Sequence, residues 1–324
     1  HFAFAVACVS LIVSIAIYYA FRGTFKHAEG GAKKKASAQE PVRELSKEET
    51  KSRIVALCLV FAVVIFFWMA FHQNGLTLTY FADEFTRDSS SGAESMLFNV
   101  WNLVLVIFIV YALFSLFQSD STKGRAISAG VIAASAAVLV AQYMRLPAET
   151  KVDAEIFQQF NPFFVVALTP VSIALFSRLA KEPSAPRKIG MGMLVAALGY
   201  VIMTVGSMHL LSPAAQAAAA GTSAATFVSP NWLISTYLVL TFAELLLSPM
   251  GISFVSKVAP PKYKGMMMGG WFVATAIGNK LTSVCSSLWG ELPLVVVWGV
   301  LIGLCLLSAV FIFLIMKKLE SATK

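Results

Sequence analysis

The sequence predicts an all-α integral membrane protein, and three observations predict it. Of 324 residues, 58% are apolar and only 13% charged, against roughly 45–50% and about 25% in a soluble domain. The apolar residues gather into runs of the length that spans a bilayer. The basic residues gather in alternate connections between those runs. This composition excludes a disordered chain, a collagen and a disulfide-stapled secreted scaffold.

A span needs about 20 mostly apolar residues to cross about 30 Å of hydrocarbon. Nine runs qualify, at 2–21, 54–73, 96–117, 126–144, 160–179, 189–211, 232–255, 265–288 and 293–316. None alternates with period two, so they read as helices and not as barrel strands. The first is uninterrupted. Connection 22–53 follows, with the cluster Lys33-Lys34-Lys35, and reads as a cytoplasmic linker. Ser46 with Glu48 and Glu49 marks a helix start leading into the second span. The third carries Asn99 and Asn102, read as interhelical hydrogen-bonding groups. Asn161-Pro162 opens the span at 160–179, and Pro170 and Pro249 fall inside apolar runs, where a proline removes a helical hydrogen bond. Gly265, Gly269 and Gly270 predict a small face for close helix approach.

The charges assign an orientation. With 22–53 inside, 21 of the 25 Lys and Arg lie in inside connections. Arg87, Arg145 and Lys151 lie outside, and Lys280 lies within a span. Acids do not discriminate, as the positive-inside rule expects. The net charge of +8 is therefore topological, and nucleic acid is not an expected partner. The C-terminus falls inside, and the expected location is the cell (inner) membrane. His1 then falls outside at the edge of a span, so the chain is expected to be the C-terminal part of a longer protein. Cys8, Cys58, Cys285 and Cys305 all lie in spans without metal-ligand spacing. No metal or other cofactor is expected beyond a proton gradient. No nucleophile–base set or phosphate loop suggests an enzyme.

Two formal charges lie within spans, Glu244 and Lys280. Intramembrane charges cost at least about 2.5–3.5 kcal/mol and by default mark a pathway. Glu244 stands about 18 Å into its span at 1.5 Å per residue, near the midplane. Lys280 is about 12 Å deep by the same rise and can extend outward. The two residues are candidates for proton coupling, or for a structural ion pair between adjacent helices. His72 and Gln73, in FFWMAFHQNG, end the second span. His72 is a third titratable candidate, because histidine titrates closest to physiological pH.

Three stretches carry a family resemblance: FFWMAFHQNG, NPFFVVALTPVSIALFSRL with PSAPRKIGMGML, and NWLISTYLVLTFAELLLSPMGISFVSKVAPPKYKGMMMGGWFVATAIGN. Together they resemble the proton-dependent oligopeptide transporter family of the major facilitator superfamily. The resemblance covers most of the chain apart from 92–159. It implies that 1–21 is similar to family helix six, that 54–91 holds helix seven and an outer loop, and that 160–324 holds helices eight to twelve. The fold implied is the superfamily's C-terminal six-helix bundle with a preceding helix. Segment 92–159 then reads as an inserted transmembrane hairpin. The activity implied is proton-driven symport of di- and tripeptides by alternating access, with this chain supplying half the site and an N-terminal six-helix bundle supplying the rest. By resemblance, Glu244 and Asn161 hold the peptide's amino terminus, Trp271 lines a side-chain pocket, and Trp68 and Gln73 belong to the helix-seven substrate motif. Many members have an acid before that Gln; here His72 offers a different titrating group. The acid–acid–Arg motif of family helix one does not occur in this sequence.

Two other readings remain open. One is a same-fold transporter of another solute, such as nitrate or a metabolite. The other is a non-transporting receptor or assembly subunit. Glu244 with Asn161 favours a substrate bearing a free amine.

Overall fold

The structure, a computed structural model, describes residues 2–25, 45–178 and 182–321. The Lys33–Lys35 cluster and most of the expected linker lie outside the described residues. The chain forms two compact units, 1–47 and 48–324. The first contains α1 (Phe2–Ala20) and the single turn α2 (Arg22–Phe25).

Helix α3 (Lys47–Phe71), all but its first residue in the second unit, begins immediately after Ser46, as expected. A 3₁₀ turn, His72–Gly75, follows, and then α4 (Thr77–Phe85). This helix stands where an outer loop is expected. Leu78, Phe81, Ala82 and Phe85 recur at helical spacing and are buried, so α4 is held by its apolar face. The expected hairpin forms from α5 (Val100–Gln118) and α6 (Thr122–Tyr143). A two-stranded antiparallel ribbon, β1 (Ser89–Ser90) with β2 (Thr150–Lys151), closes its mouth. Next come α7 (Phe160–Ser177), α8 (Ala185–Ser207), the short α9 (Pro213–Ala219), α10 (Asn231–Val258), α11 (Lys264–Ser287), α12 (Leu294–Leu314) and α13 (Met316–Ser321).

All nine expected apolar runs are helical. Among the described residues, seven segments are long and apolar enough to cross a membrane. Of the other two runs, α1 contributes a shorter apolar helix, Phe4–Ala20. The second, α11, spaces Thr275, Asn279, Lys280, Thr282 and Ser283 along its length, and these polar residues dilute its hydropathy.

Helix α8 is the centre of the unit and packs most extensively on α10 and α12. Polar side chains tie one set of helix ends together. Tyr200 on α8 donates to the Ala70 carbonyl at 2.5 Å, and Tyr237 on α10 donates to the Asn74 carbonyl at 2.7 Å. Trp298 on α12 donates to Ser207 at 3.0 Å. In an apolar solvent such bonds carry association that hydrophobicity cannot supply.

The prolines act differently from one another. Pro162 sits in the first turn of α7, where no intrahelical donor is needed, so it starts a helix without interrupting one. Pro170 lies inside α7 and deprives the Val166 carbonyl of its usual donor. Tyr111 of α5 reaches that carbonyl at 3.3 Å, so the hairpin docks on the group the proline releases. Within the hairpin, Ser128 and Ser135 are the buried residues of α6, and Ser128 bonds Ser115 at 3.0 Å. Asn99 and Asn102 do not bridge helices. Asn99 caps α5 through the Trp101 amide at 2.9 Å, and Asn102 donates to the Met96 carbonyl at 3.0 Å.

The expected glycine face is also corrected. A Cβ on Gly265 or Gly269 would meet nothing within 4 Å. Of the three expected glycines only Gly270 makes a tight approach, against Phe61; others include Gly278 against the Ile65 carbonyl and Trp68, Gly251 against Trp271, and Gly206 against Trp232.

At the opposite end from the ribbon, Lys188 is 4% exposed, pairs with exposed Glu182 and lies 4.5 Å over the Phe176 ring. Lys188 holds the Glu182 carboxyl below the usual carboxylate range. A depressed carboxylate pKa contributes stability above its unfolded value and loses it as pH falls through the folded value. Glu182→Gln is therefore expected to lower the thermal midpoint at pH 7. The difference from wild type should close as the pH drops below the carboxylate range, which parallel melts across pH would measure.

Candidate functional site

Helix α10 presents Thr241 and Glu244 on one face, three residues apart. The first turn of α7 brings Asn161 opposite them. Asn161 Nδ2 donates to Glu244 Oε2 and to Thr241 Oγ1, both at 3.1 Å. Thr241 is fully buried, whereas Glu244 and Asn161 are half-buried and so remain accessible. The other Glu244 oxygen and Asn161 Oδ1 accept no hydrogen bond from the described residues. The site thus offers a carboxylate and a neutral oxygen acceptor, with no cation paired to them among the described residues. That set matches an ammonium group, which brings three donors and a compensating charge. Pro249 follows Glu244 by five residues inside α10 and removes a backbone bond just beyond the site.

Of the other expected residues, Lys280 is exposed on α11, and no ion pair joins it to Glu244 among the described residues. The Glu–Lys pair read from depth alone is replaced by the Asn161 bond. Two side chains at compatible depths meet only if their helices turn those faces together, and α11 turns Lys280 outward.

Gln73 is fully buried. Its amide donates to the Met69 and Thr282 carbonyls at 3.1 and 3.2 Å and accepts from Thr77 at 2.9 Å. It joins the 3₁₀ turn to α11 and has no surface for a ligand. Trp271 is 2% exposed and its ring lies over Gly251, so it is a packing element in this conformation. Trp68 is buried against Phe67 and Phe71, and its Nε1 has no hydrogen-bond partner. His72 stacks on Trp68 at 5.0 Å and bonds that residue's carbonyl through Nδ1 at 3.0 Å. Neither of these two aromatic groups is hydrogen-bonded to the Asn161–Glu244 pair. Thr241 carries no signal in the sequence beyond its spacing from Glu244, which many threonines share.

Comparison with known proteins agrees with this architecture. The family profile PTR2, the POT family, matches residues 130–297, which is just over half of the chain and opens within α6. Peptide transporter YePEPT of Yersinia enterocolitica is 37% identical over 126 residues, covering 38% of this chain and 23% of that protein. Dipeptide and tripeptide permease A of Escherichia coli is 27% identical over 128 residues, covering 40% and 23%. A crystal structure of a POT peptide transporter mutant in complex with alafosfalin superposes with a TM-score of 0.60 at 21% identity. It covers 99% of this chain and 53% of the other, which shows the shared fold. A POT family transporter in complex with 5-aminolevulinic acid gives a TM-score of 0.55 at 19% identity, covering 98% and 54%. The chain thus spans about half the length of these solved transporters. Through the profile match and the shared helical fold, this chain, a multi-pass membrane protein, belongs to the POT family.

Proposed function

We propose that the full-length protein is a proton-coupled symporter of di- and tripeptides that works by alternating access. This chain supplies the C-terminal half of the binding site, and an N-terminal six-helix bundle supplies the other half. The observation that carries this reading is the Asn161–Glu244 pair, with one acceptor oxygen on each side chain left for a ligand. A peptide's amino terminus supplies the missing cation. A proton and an ammonium group compete for the same carboxylate, which couples release of one to arrival of the other. The names of the matched relatives, a peptide transporter and a dipeptide and tripeptide permease, support the substrate class. Nitrate has no donor for either oxygen, and a non-transporting subunit gives a midplane carboxylate nothing to serve.

In this reading Glu244 is the group that exchanges the proton, and His72 steadies the Trp68 stack. Lys280 takes no part in the exchange. The charge pattern favours a cytoplasmic C-terminus in the inner membrane. The α5–α6 hairpin is an insertion that peptide binding does not require.

The test is uptake of Ala-Ala into proteoliposomes holding the full-length protein. Uptake is expected with an inward proton gradient and should fall to background when the gradient is collapsed. His72→Gln is expected to keep the wild-type pH profile. A profile displaced by that substitution would return His72 to the coupling mechanism, and gradient-independent uptake would overturn the symport reading.

A further inference from the structure

Helix α11 turns two faces to different surroundings. Met267, Trp271, Ala274, Gly278 and Cys285 form one face and are buried in the unit. Ala276, Asn279, Lys280 and Ser283 follow the i, i+3, i+4, i+7 spacing of a second face, and all four are exposed. The carbonyls of Asn279 and Lys280 accept from Thr282 and Ser283. Their side chains are unused: among the described residues, neither makes a hydrogen bond or an ion pair.

Lys280 stands about 12 Å deep at 1.5 Å per residue, and an unpaired charge in hydrocarbon is costly. Its long stem can lift the ammonium toward the interface. The short stem of Asn279 cannot do the same for its amide, so lipid leaves this face unsatisfied. Lys280 carries donors alone, and its complement is a carboxylate. The long helices of this chain have none to give. Helices α1, α5, α6, α7, α8, α11 and α12 contain no Asp or Glu. The acids of α3 lie in its first turn, whereas the far end of α3 leads to Gln73, which bonds Thr282 beside Lys280. Glu244 is held by Asn161. A second copy of these helices would bring the same shortage. The counter-charge therefore comes from chain beyond these residues, which cover 53% and 54% of the two solved transporters.

We propose that the Asn279–Lys280 face of α11 is a docking surface for a membrane helix of the N-terminal half of the full-length protein. That helix carries an Asp or Glu that pairs with Lys280 and a polar group that meets Asn279. The proposal rests on the reading that an N-terminal bundle completes this chain, and it names the chemistry that joins the two halves.

The experiment is crosslinking of the full-length protein in membranes with dicyclohexylcarbodiimide, in the presence and absence of Ala-Ala. This reagent activates carboxyl groups within hydrocarbon, and the Lys280 amine captures one only where the two touch. After digestion, mass spectrometry is expected to find the Lys280 peptide joined to an Asp or Glu peptide that precedes residue 1, within one molecule. The product should be absent from Lys280→Gln. Lys280→Glu is expected to reduce Ala-Ala uptake at least tenfold, and placing lysine at the crosslinked acid should restore it. A crosslink from Lys280 to an acid within residues 1–324, a crosslink between two copies, or no crosslink in either condition overturns the proposal. So does a loss that the reciprocal change fails to restore. The crosslink is read on wild-type protein, so it stands whether or not the variants fold. Proton-driven uptake without the crosslink would remove this interface and leave the transport reading in place. A full-length sequence without an N-terminal bundle would instead remove both.

Discussion

Glu244→Gln is expected to reduce proton-driven Ala-Ala uptake by the full-length protein roughly 10- to 100-fold. A hydrogen bond to a charged group contributes about 1.5–3 kcal/mol, and about 1.4 kcal/mol is tenfold in an equilibrium. The glutamine keeps an oxygen for Asn161 Nδ2, now 3.1 Å from Glu244, so the α7–α10 contact survives. What it loses is the charge that meets an ammonium and the site that takes a proton. The folded fraction should therefore match wild type, and the deficit should appear in uptake alone. Wild-type uptake by this variant would remove Glu244 from the mechanism and with it the peptide assignment.

The second large effect is expected on stability, at Gly251. A Cβ there would lie 1.9 Å from Trp271 Cη2 and 2.4 Å from Cζ3. Trp271 is almost fully buried, so its ring has no open side to move into. Gly251→Ala is expected to cost about 1–3 kcal/mol, the range for overpacking a filled core, and to lower the thermal midpoint accordingly. Gly269→Ala on neighbouring α11, where nothing lies within 4 Å, should stay within about 0.5 kcal/mol. Adding Trp271→Ala to Gly251→Ala should cost less than the two single losses summed, because the second change removes the clash that defines the first. Additive losses would mean that the two residues do not touch in the membrane.

The helices were legible in the sequence, whereas several contacts were not. Hydropathy located every long helix from α3 to α12, and Ser46 and Asn161-Pro162 marked two helix starts. It missed α4, whose nine residues are too few to register as a span and lie beyond the apolar run. The family motifs named Glu244 and Asn161, and the structure brought them within 3.1 Å. The same motifs named Gln73 and Trp271, which the structure buries as packing groups. A motif records that a residue type recurs, and a residue can recur for packing as readily as for ligand contact.

By itself the sequence determined that this chain is a helical, multi-pass membrane protein, where its helices run, and that one midplane carboxylate needs a partner. Those are local properties, set by the thickness of a bilayer and the cost of a charge inside it. That the partner is Asn161 and not Lys280 comes from how the helices pack. The packing also leaves Gly265 and Gly269 open, upholds Gly270, and adds close approaches at Gly251 and Gly278. Which faces meet depends on how each helix is rotated about its axis, and that rotation is settled jointly by all its neighbours.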